Sequence, residues 1–238
     1  MTTDVPIPER ALAIGAHPDD VEFGCGATVA KWAAAGTDVQ LVVLTDGSRG
    51  TWDVAADIAA LIVQRQDEMR SAAAALGARG TTFLDAVDGE LDSGLKRRQQ
   101  VCEMIRRHRP DVVLGHDPWK RYRLHPDHRH AGWLAVDGIV AARDPHFFPE
   151  QGLPPHRPRA LLLFEPDETD HLERIDDTHL AAKVSALLAH RSQWRSTLDI
   201  ESDSPDERRQ FSARVRGWAS AAAGGDGLAE PFKLLDDL

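Results

Sequence analysis

The stretch ALAIGAHPDD, residues 11–20, decides the reading of this chain. Its first six residues are a short apolar run, the pattern of a strand buried on both faces. Four polar or ring-bearing residues, His17, Pro18, Asp19 and Asp20, follow without a spacer. A helical pattern then covers about residues 23–35 and stops at Gly36. Residues 39–44 (VQLVVL) read as a second buried strand, and 45–51 as a Gly-rich loop. Residues 57–76 are Ala-rich and helical, ending at Gly77. Residues 81–84 form a weak strand, 95–108 a helix ending before Pro110, and 112–115 the next strand. This alternation is the signature of βαβ units. It predicts an α/β fold built on a doubly wound, mostly parallel sheet.

Further along, a loop at 116–124 leads into a second tripeptide of the same kind, His125-Pro126-Asp127, followed by His128. An Ala-rich helix is expected to about residue 142. A Pro-rich connection spans 145–158, and 160–164 is another strand. A helix at 180–188 is expected to run on towards Trp194. Residues 199–207 read as an acidic loop, 211–223 as a helix, and the Gly-rich run 224–227 as a break before a short tail. The length of 238 residues suits one α/β domain over 1–238.

Composition narrows the function. The chain is 42% hydrophobic and 28% charged, as ordinary globular proteins are. Lys and Arg number 28 against 38 Asp and Glu, a formal charge of -10. Such a chain repels phosphate backbones, so nucleic acid is not expected as a partner. The basic runs 96–98 and 106–107 fit a solvated helix face. Two cysteines, Cys25 and Cys102, form no CxxC, which fits a reducing compartment. No signal-peptide pattern and no membrane-length apolar run is present. The expectation is a cytoplasmic protein with no membrane partner and a small-molecule substrate. The oligomeric state is open, a homo-oligomer included.

Chance usage yields one His-Pro-Asp in about one chain in fifty or fewer, so two of them call for a chemical reason. Each falls where an open α/β sheet puts its ligands, past the carboxyl end of a strand. Pro126 suits the first turn of a helix. A catalytic zinc takes three imidazole or carboxylate ligands and a water. His17 and Asp20 are three residues apart, as are His125 and His128, which gives four candidates for three places. A hydrolase also needs a base and an acid, and Asp19 stands beside a ligand without being one. Asp19 or Asp20 could instead cap the helix, and the same donors also suit iron or nickel. Gly24-Cys25-Gly26 lacks the phosphate-loop lysine and the dinucleotide spacing. Close helix packing accounts for it better.

AHPDD after the first strand, TDG after the second and HPDH later resemble the LmbE-like, or PIG-L, family of zinc deacetylases. The likeness extends to RQDE at 65–68, to HRSQ at 190–193 and to AEPFK at 229–233. The resemblance implies a Rossmann-like fold and removal of an N-acetyl group from an amino-sugar-containing small molecule. It assigns Zn2+ to His17, Asp20 and His128. Asp19 becomes the general base. His125 stabilises the oxyanion and acts as acid in its imidazolium form, with Asp127 orienting and charging it. Arg65 contacts substrate hydroxyls, and Asp88 sits in the pocket on the substrate side. The family's thiol-pathway members carry a tyrosine two residues before HPDH. Here Arg123 holds that place and Tyr122 is one residue off. The basic segment 118–123 then reads either as a lip over an anionic substrate group, with Arg123 binding it, or as a loop paired to acidic neighbours. His116 and Asp117 end a strand near the site, and His130 is expected to point away. His190 makes a structural hydrogen bond or touches substrate. Three rivals stay open: an amidase of the same fold that releases a larger acyl group, a nucleotide-binding module without catalysis, and an inactive partner subunit.

Overall fold

The computed structural model describes residues 1–238. In chain order the elements begin with β1 (Thr2–Thr3), β2 (Arg10–Gly15), α1 (Asp20–Ala34), β3 (Asp38–Thr45), α2 (Ile58–Leu76) and β4 (Gly80–Ala86). They continue with α3 (Leu95–His108), β5 (Val112–His116), α4 (Pro126–Arg143), β6 (Ala160–Phe164), β7 (His171–Ile175), α5 (Asp177–Ala189), α6 (Pro205–Ala222) and β8 (Leu228–Leu235). All eight strands form one sheet in the order β1-β7-β8-β6-β5-β2-β3-β4. Strands β4, β3, β2, β5 and β6 run parallel, whereas β8 is antiparallel to both β6 and β7. The sheet is therefore mostly parallel and α/β, as the alternation implied.

Burial explains the central strands. Leu12, Ala13, Ile14, Leu41, Val42 and Val43 are fully buried, because helices cover both faces of the sheet. Two apolar clusters lie on opposite faces: alternate residues of β2 join one with α1 and α2 and the other with α3 and α4.

The structure adds β1 and β7, which the sequence reading did not name, and departs from that reading in four further places. α1 starts at Asp20 rather than near residue 23, so Asp20 belongs to the first helical turn. Chain beyond α5 does not continue towards Trp194 as an α-helix. It tightens into a 3-10 turn at Arg191–Gln193 and then widens into a π turn at Trp194–Leu198. Part of the expected acidic loop is the start of α6, where Ser204 caps the helix by accepting the Glu207 N–H and Pro205 opens it. The short tail is β8, a strand between β6 and β7.

α1 is not continuous. Cys25 has φ -149° and ψ 20°, which breaks the helix one turn from its start. The freed backbone groups are met by two buried side chains. Lys183 donates to the Phe23 carbonyl at 2.8 Å and to Glu230 at 2.6 Å, and Glu230 accepts the N–H groups of Ala27 and Thr28. Gly24 lets α1 pack closely on Phe164, since a Cβ there would stand 2.2 Å from that ring. The Gly-Cys-Gly run is a close-packing device, as expected from sequence.

Candidate active site

The ends of β2, β4, β5 and β6 supply one cluster. His17 lies two residues past β2, Asp88 past β4, His116 ends β5, and Glu165 follows β6. α4 brings His128 in its first turn, with His125 as its N-cap. All of these but His116, which lies behind the wall, border a cavity of about 780 Å3.

His17 Nδ1 lies 3.4 Å from an Asp20 oxygen and 3.2 Å from His128 Nε2, and His128 Nε2 lies 3.2 Å from the other Asp20 oxygen. Donors held 2.0–2.2 Å from a tetrahedral zinc stand about 3.3–3.6 Å apart, so these three fit one small cation. Overlapping sets, His17 with His125 and His128, Asp20 with His116 and His128, and His17 with Asp88 and Asp127, also bring donor atoms within 4.8 Å. The local field favours positive charge. Burial works against a charged His17, but Asp20, Asp127 and Asp88 prevail and hold its pKa well above the ordinary value. Burial would lift the Asp20 carboxyl, yet His128, His116 and His17 hold it well below the usual range.

The neighbours of these residues fix their rings. His17 Nε2 faces Asp127 at 3.1 Å and Asp88 at 3.2 Å. His116, fully enclosed, reaches Asp20 at 3.1 Å and stacks on the His128 ring. Asp127 accepts the N–H groups of Gly89 and Leu91, which ties α4 to the loop after β4. Its carboxylate is hydrogen-bonded to His17, whereas its hydrogen bond with His125 runs through the Asp127 backbone N–H rather than through the carboxylate expected to orient that ring. His125 instead accepts the Asp127 N–H on Nδ1 at 3.3 Å, which leaves the ring proton on Nε2. Burial lowers its pKa, with His17 and His128 adding to the effect. The expected imidazolium would need Nδ1 to donate, whereas here Nδ1 accepts the Asp127 N–H.

Asp19 makes no capping bond, and its backbone is held at φ 117°, a left-handed conformation rare outside glycine. Burial lifts its carboxyl to about 6, against the lowering effect of Arg65. Arg65 is itself buried. It donates to the carbonyls of Gly47 and Pro18 at 2.8 and 2.7 Å and stands 3.4 Å from Asp19 and 3.8 Å from Asp88. Glycine at 47 and 50 makes its room, since a Cβ at either would lie within 3 Å of the guanidinium. Thus the TDG loop houses Arg65. Both Arg65 and Asp88 border the cavity, but most Arg65 donors are already engaged.

Arg123 does not border the cavity. Its guanidinium donates to Glu165 at 2.5 Å and to His128 Nδ1 at 3.2 Å. Arg121 pairs with Asp167. Arg121 and Arg123 are thus paired to acidic neighbours, and instead of taking the expected place at the substrate Arg123 contacts His128 and Glu165. Tyr122 points to solvent, and His130 turns to Ser93. His190 is fully buried 3.6 Å from Glu22, away from the cavity wall. Sequence reading missed Glu165 and passed over the grip of His116 on Asp20. The pairing of Glu165 with a loop arginine leaves no local sequence signal.

α1 opens with Asp20 and Glu22 in its first turn, charges that repel a phosphate. This counts against a nucleotide-binding module.

Comparison with known proteins shows the family and the fold. The profile of PIG-L, GlcNAc-PI de-N-acetylase, matches residues 12–139. Over 189 residues the chain is 35% identical to diacetylchitobiose deacetylase of Thermococcus kodakarensis, covering 78% of this chain and 70% of that one. It is 33% identical over 171 residues to 1D-myo-inositol 2-acetamido-2-deoxy-alpha-D-glucopyranoside deacetylase of Streptomyces avermitilis, covering 61% of this chain and 58% of the relative. Among solved structures, N,N'-diacetylchitobiose deacetylase of Pyrococcus horikoshii superposes with a TM-score of 0.84 at 28% identity, over 96% of this chain and 84% of that one. Both His-Pro-Asp turns and the loop that houses Arg65 lie inside the matched span, and with them the chain belongs to the PIG-L (LmbE-like) family.

Proposed function

We propose that the chain is a zinc-dependent deacetylase that removes the N-acetyl group of an amino-sugar-containing small molecule. Deacetylases of this family are metal-dependent, and the chain carries a His/Asp group suited to a cation. The observation that carries the reading is the convergence of His17, Asp20 and His128 within 3.2–3.4 Å, beside an Asp19 that neither ligates nor caps. His17, Asp20 and His128 would hold the zinc. When bound, it supplies Lewis acidity and lowers the pKa of water.

The remaining work falls to this chain's own side chains. Asp19 accepts the proton of the attacking water as the new C–O bond forms. Arg65 holds Asp19 in its carboxylate form and fixes its direction. The Nε2–H of His125 donates to the carbonyl oxygen as negative charge develops there. As the C–N bond breaks, the proton taken up by Asp19 passes to the departing nitrogen, giving acetate and a free amine. Asp127 and Asp88 steady His17 through its second ring nitrogen. Asp88 and Arg65 are also the groups nearest to an incoming sugar hydroxyl.

A screen over N-acetylated sugars, with acetate and amine products read by mass spectrometry, tests this. The expected result is release of acetate by the zinc-loaded protein and none after chelation. Turnover that is indifferent to chelator, or release only of larger acids, would overturn it.

A further inference from the structure

Two runs that stand out in the sequence, RQDE at 65–68 and HRSQ at 190–193, meet in the folded chain. Arg65 and Glu68 lie one turn apart on α2. Arg65 reaches the cavity, whereas Glu68 faces the 3-10 turn after α5. Glu68 accepts the Ser192 N–H at 2.9 Å on one oxygen and the Ser192 hydroxyl at 2.6 Å on the other. Gln64 adds a third bond at 2.9 Å. The 2.6 Å length is that of a hydroxyl held by a charged acceptor. Ser192 Oγ in turn accepts from Gln193 Nε2 at 3.0 Å, and the same nitrogen donates to the Gly50 carbonyl at 2.9 Å. The carboxylate makes the hydroxyl a donor, and this fixes which end of the Gln193 amide faces Ser192 and Gly50.

Gly50 is thereby wedged. A Cβ at that position would collide with the Arg65 guanidinium and would crowd the Gln193 amide. Arg65 and the Gly50 N–H both donate to the Gly47 carbonyl, at 2.8 and 3.2 Å. The loop that houses Arg65 is therefore held by α2 on one side and by the Arg191–Gln193 turn on the other. Gly50 and Gln193 border the cavity, but Glu68 and Ser192 do not. Arg65 stands 3.4 Å from Asp19, just past ordinary hydrogen-bond length, so a small shift of this loop decides whether that contact is made.

We propose that Glu68 and Ser192 are positioning residues, which hold Gln193 against Gly50 and so set the Arg65 guanidinium and, through it, the direction of Asp19. The inference rests on the deacetylase reading for the reaction that is aligned. It rests on the row of hydrogen bonds for the alignment itself.

The test uses the zinc-loaded parent, Ser192→Ala, Ser192→Thr, Glu68→Gln, Arg65→Lys and the double variant Ser192→Ala with Arg65→Lys. The substrates are methyl N-acetylglucosaminide and N-ethylacetamide, an acetyl amine without hydroxyls. Hydrogen exchange of residues 46–51 is followed in parallel. Ser192→Ala and Glu68→Gln should each lower kcat by roughly tenfold on both substrates, with KM and bound zinc unchanged, as a displaced catalytic group costs rate rather than affinity. Ser192→Thr keeps the hydroxyl and should restore the rate. Exchange at 46–51 should quicken in Ser192→Ala, and in the double variant the two losses should fall short of multiplying. Losses that multiply would overturn the inference. So would a loss seen in KM and on the sugar alone, which would make Gln193 a sugar contact, or a lowered melting temperature with kcat intact, which would make the row a brace for the fold. Deacetylation by the parent with the variants unimpaired would remove the positioning role and leave the deacetylase standing. Quicker loop exchange in the variants of a parent that releases no acetate would keep the hold on the loop and remove the deacetylase.

Discussion

The carboxylate of Asp127 lies 3.1 Å from Nε2 of His17, 110 positions away in the chain. That contact sets the ring so that Nδ1 faces Asp20 and His128. A carboxylate behind a ligand histidine raises its basicity and fixes its tautomer. Asp127→Asn should weaken zinc binding by about 10–100-fold, measured by competition with a chromogenic chelator. An unchanged affinity would mean that Asp127 acts elsewhere, for instance by holding Gly89 and Leu91.

The neighbours Asp19 and Asp20 should separate cleanly. Asp20 is gripped by His116, and two more histidines crowd its oxygens, whereas Asp19 faces Arg65. Asp20→Asn should lose bound zinc in elemental analysis. Asp19→Asn should keep it and lose kcat by about 10²–10⁴-fold, the usual contribution of a general base. Zinc loss in the Asp19 variant would place that residue among the ligands.

Activity should fall as the pH drops. Burial lifts Asp19 to about 6, and the Arg65 guanidinium pulls in the opposite direction. A base must be ionised to work, so rate is retained above its pKa and lost as the pH falls through it. A cation bound nearby favours the carboxylate further, which puts the acidic limb of kcat/KM at about 6 or below. Arg65→Gln removes the lowering charge and should move that limb upward, while Arg65→Lys should leave it closer to the parent. The observation to look for against this is a limb that stays fixed in Arg65→Gln.

Much of the site was legible because its parts are local. His17 and Asp20 sit within one turn of each other, as do His125 and His128, and both turns follow strands whose apolar runs are plain. The parallel core of the sheet was legible for the same reason. What escaped was set by distant partners. No local pattern states which histidine Asp127 faces. Arg123 reads as a free cation until Glu165 is folded against it. β7 has only five residues with charges among them, and β8 contains Pro231, so neither looks like an internal strand. The break in α1 is invisible in sequence, since its repair comes from Lys183 and Glu230.

That repair gives the last prediction. Lys183 and Glu230 are both buried, and together they satisfy one carbonyl and two N–H groups freed at Cys25. Removing one partner strands a charge out of water, a loss of about 3–5 kcal/mol in comparable buried pairs. Lys183→Met and Glu230→Gln should each lower the midpoint of urea unfolding. Glu230→Gln should cost less, because its amide oxygen can still accept a hydrogen bond. The double variant Lys183→Met with Glu230→Leu should not recover stability, since it removes the charges but leaves the α1 backbone groups unpaired. The segment before the break carries Asp20, so zinc affinity should fall along with stability in the folded fraction. A double variant as stable as the parent would show that the bend in α1 does not depend on this pair.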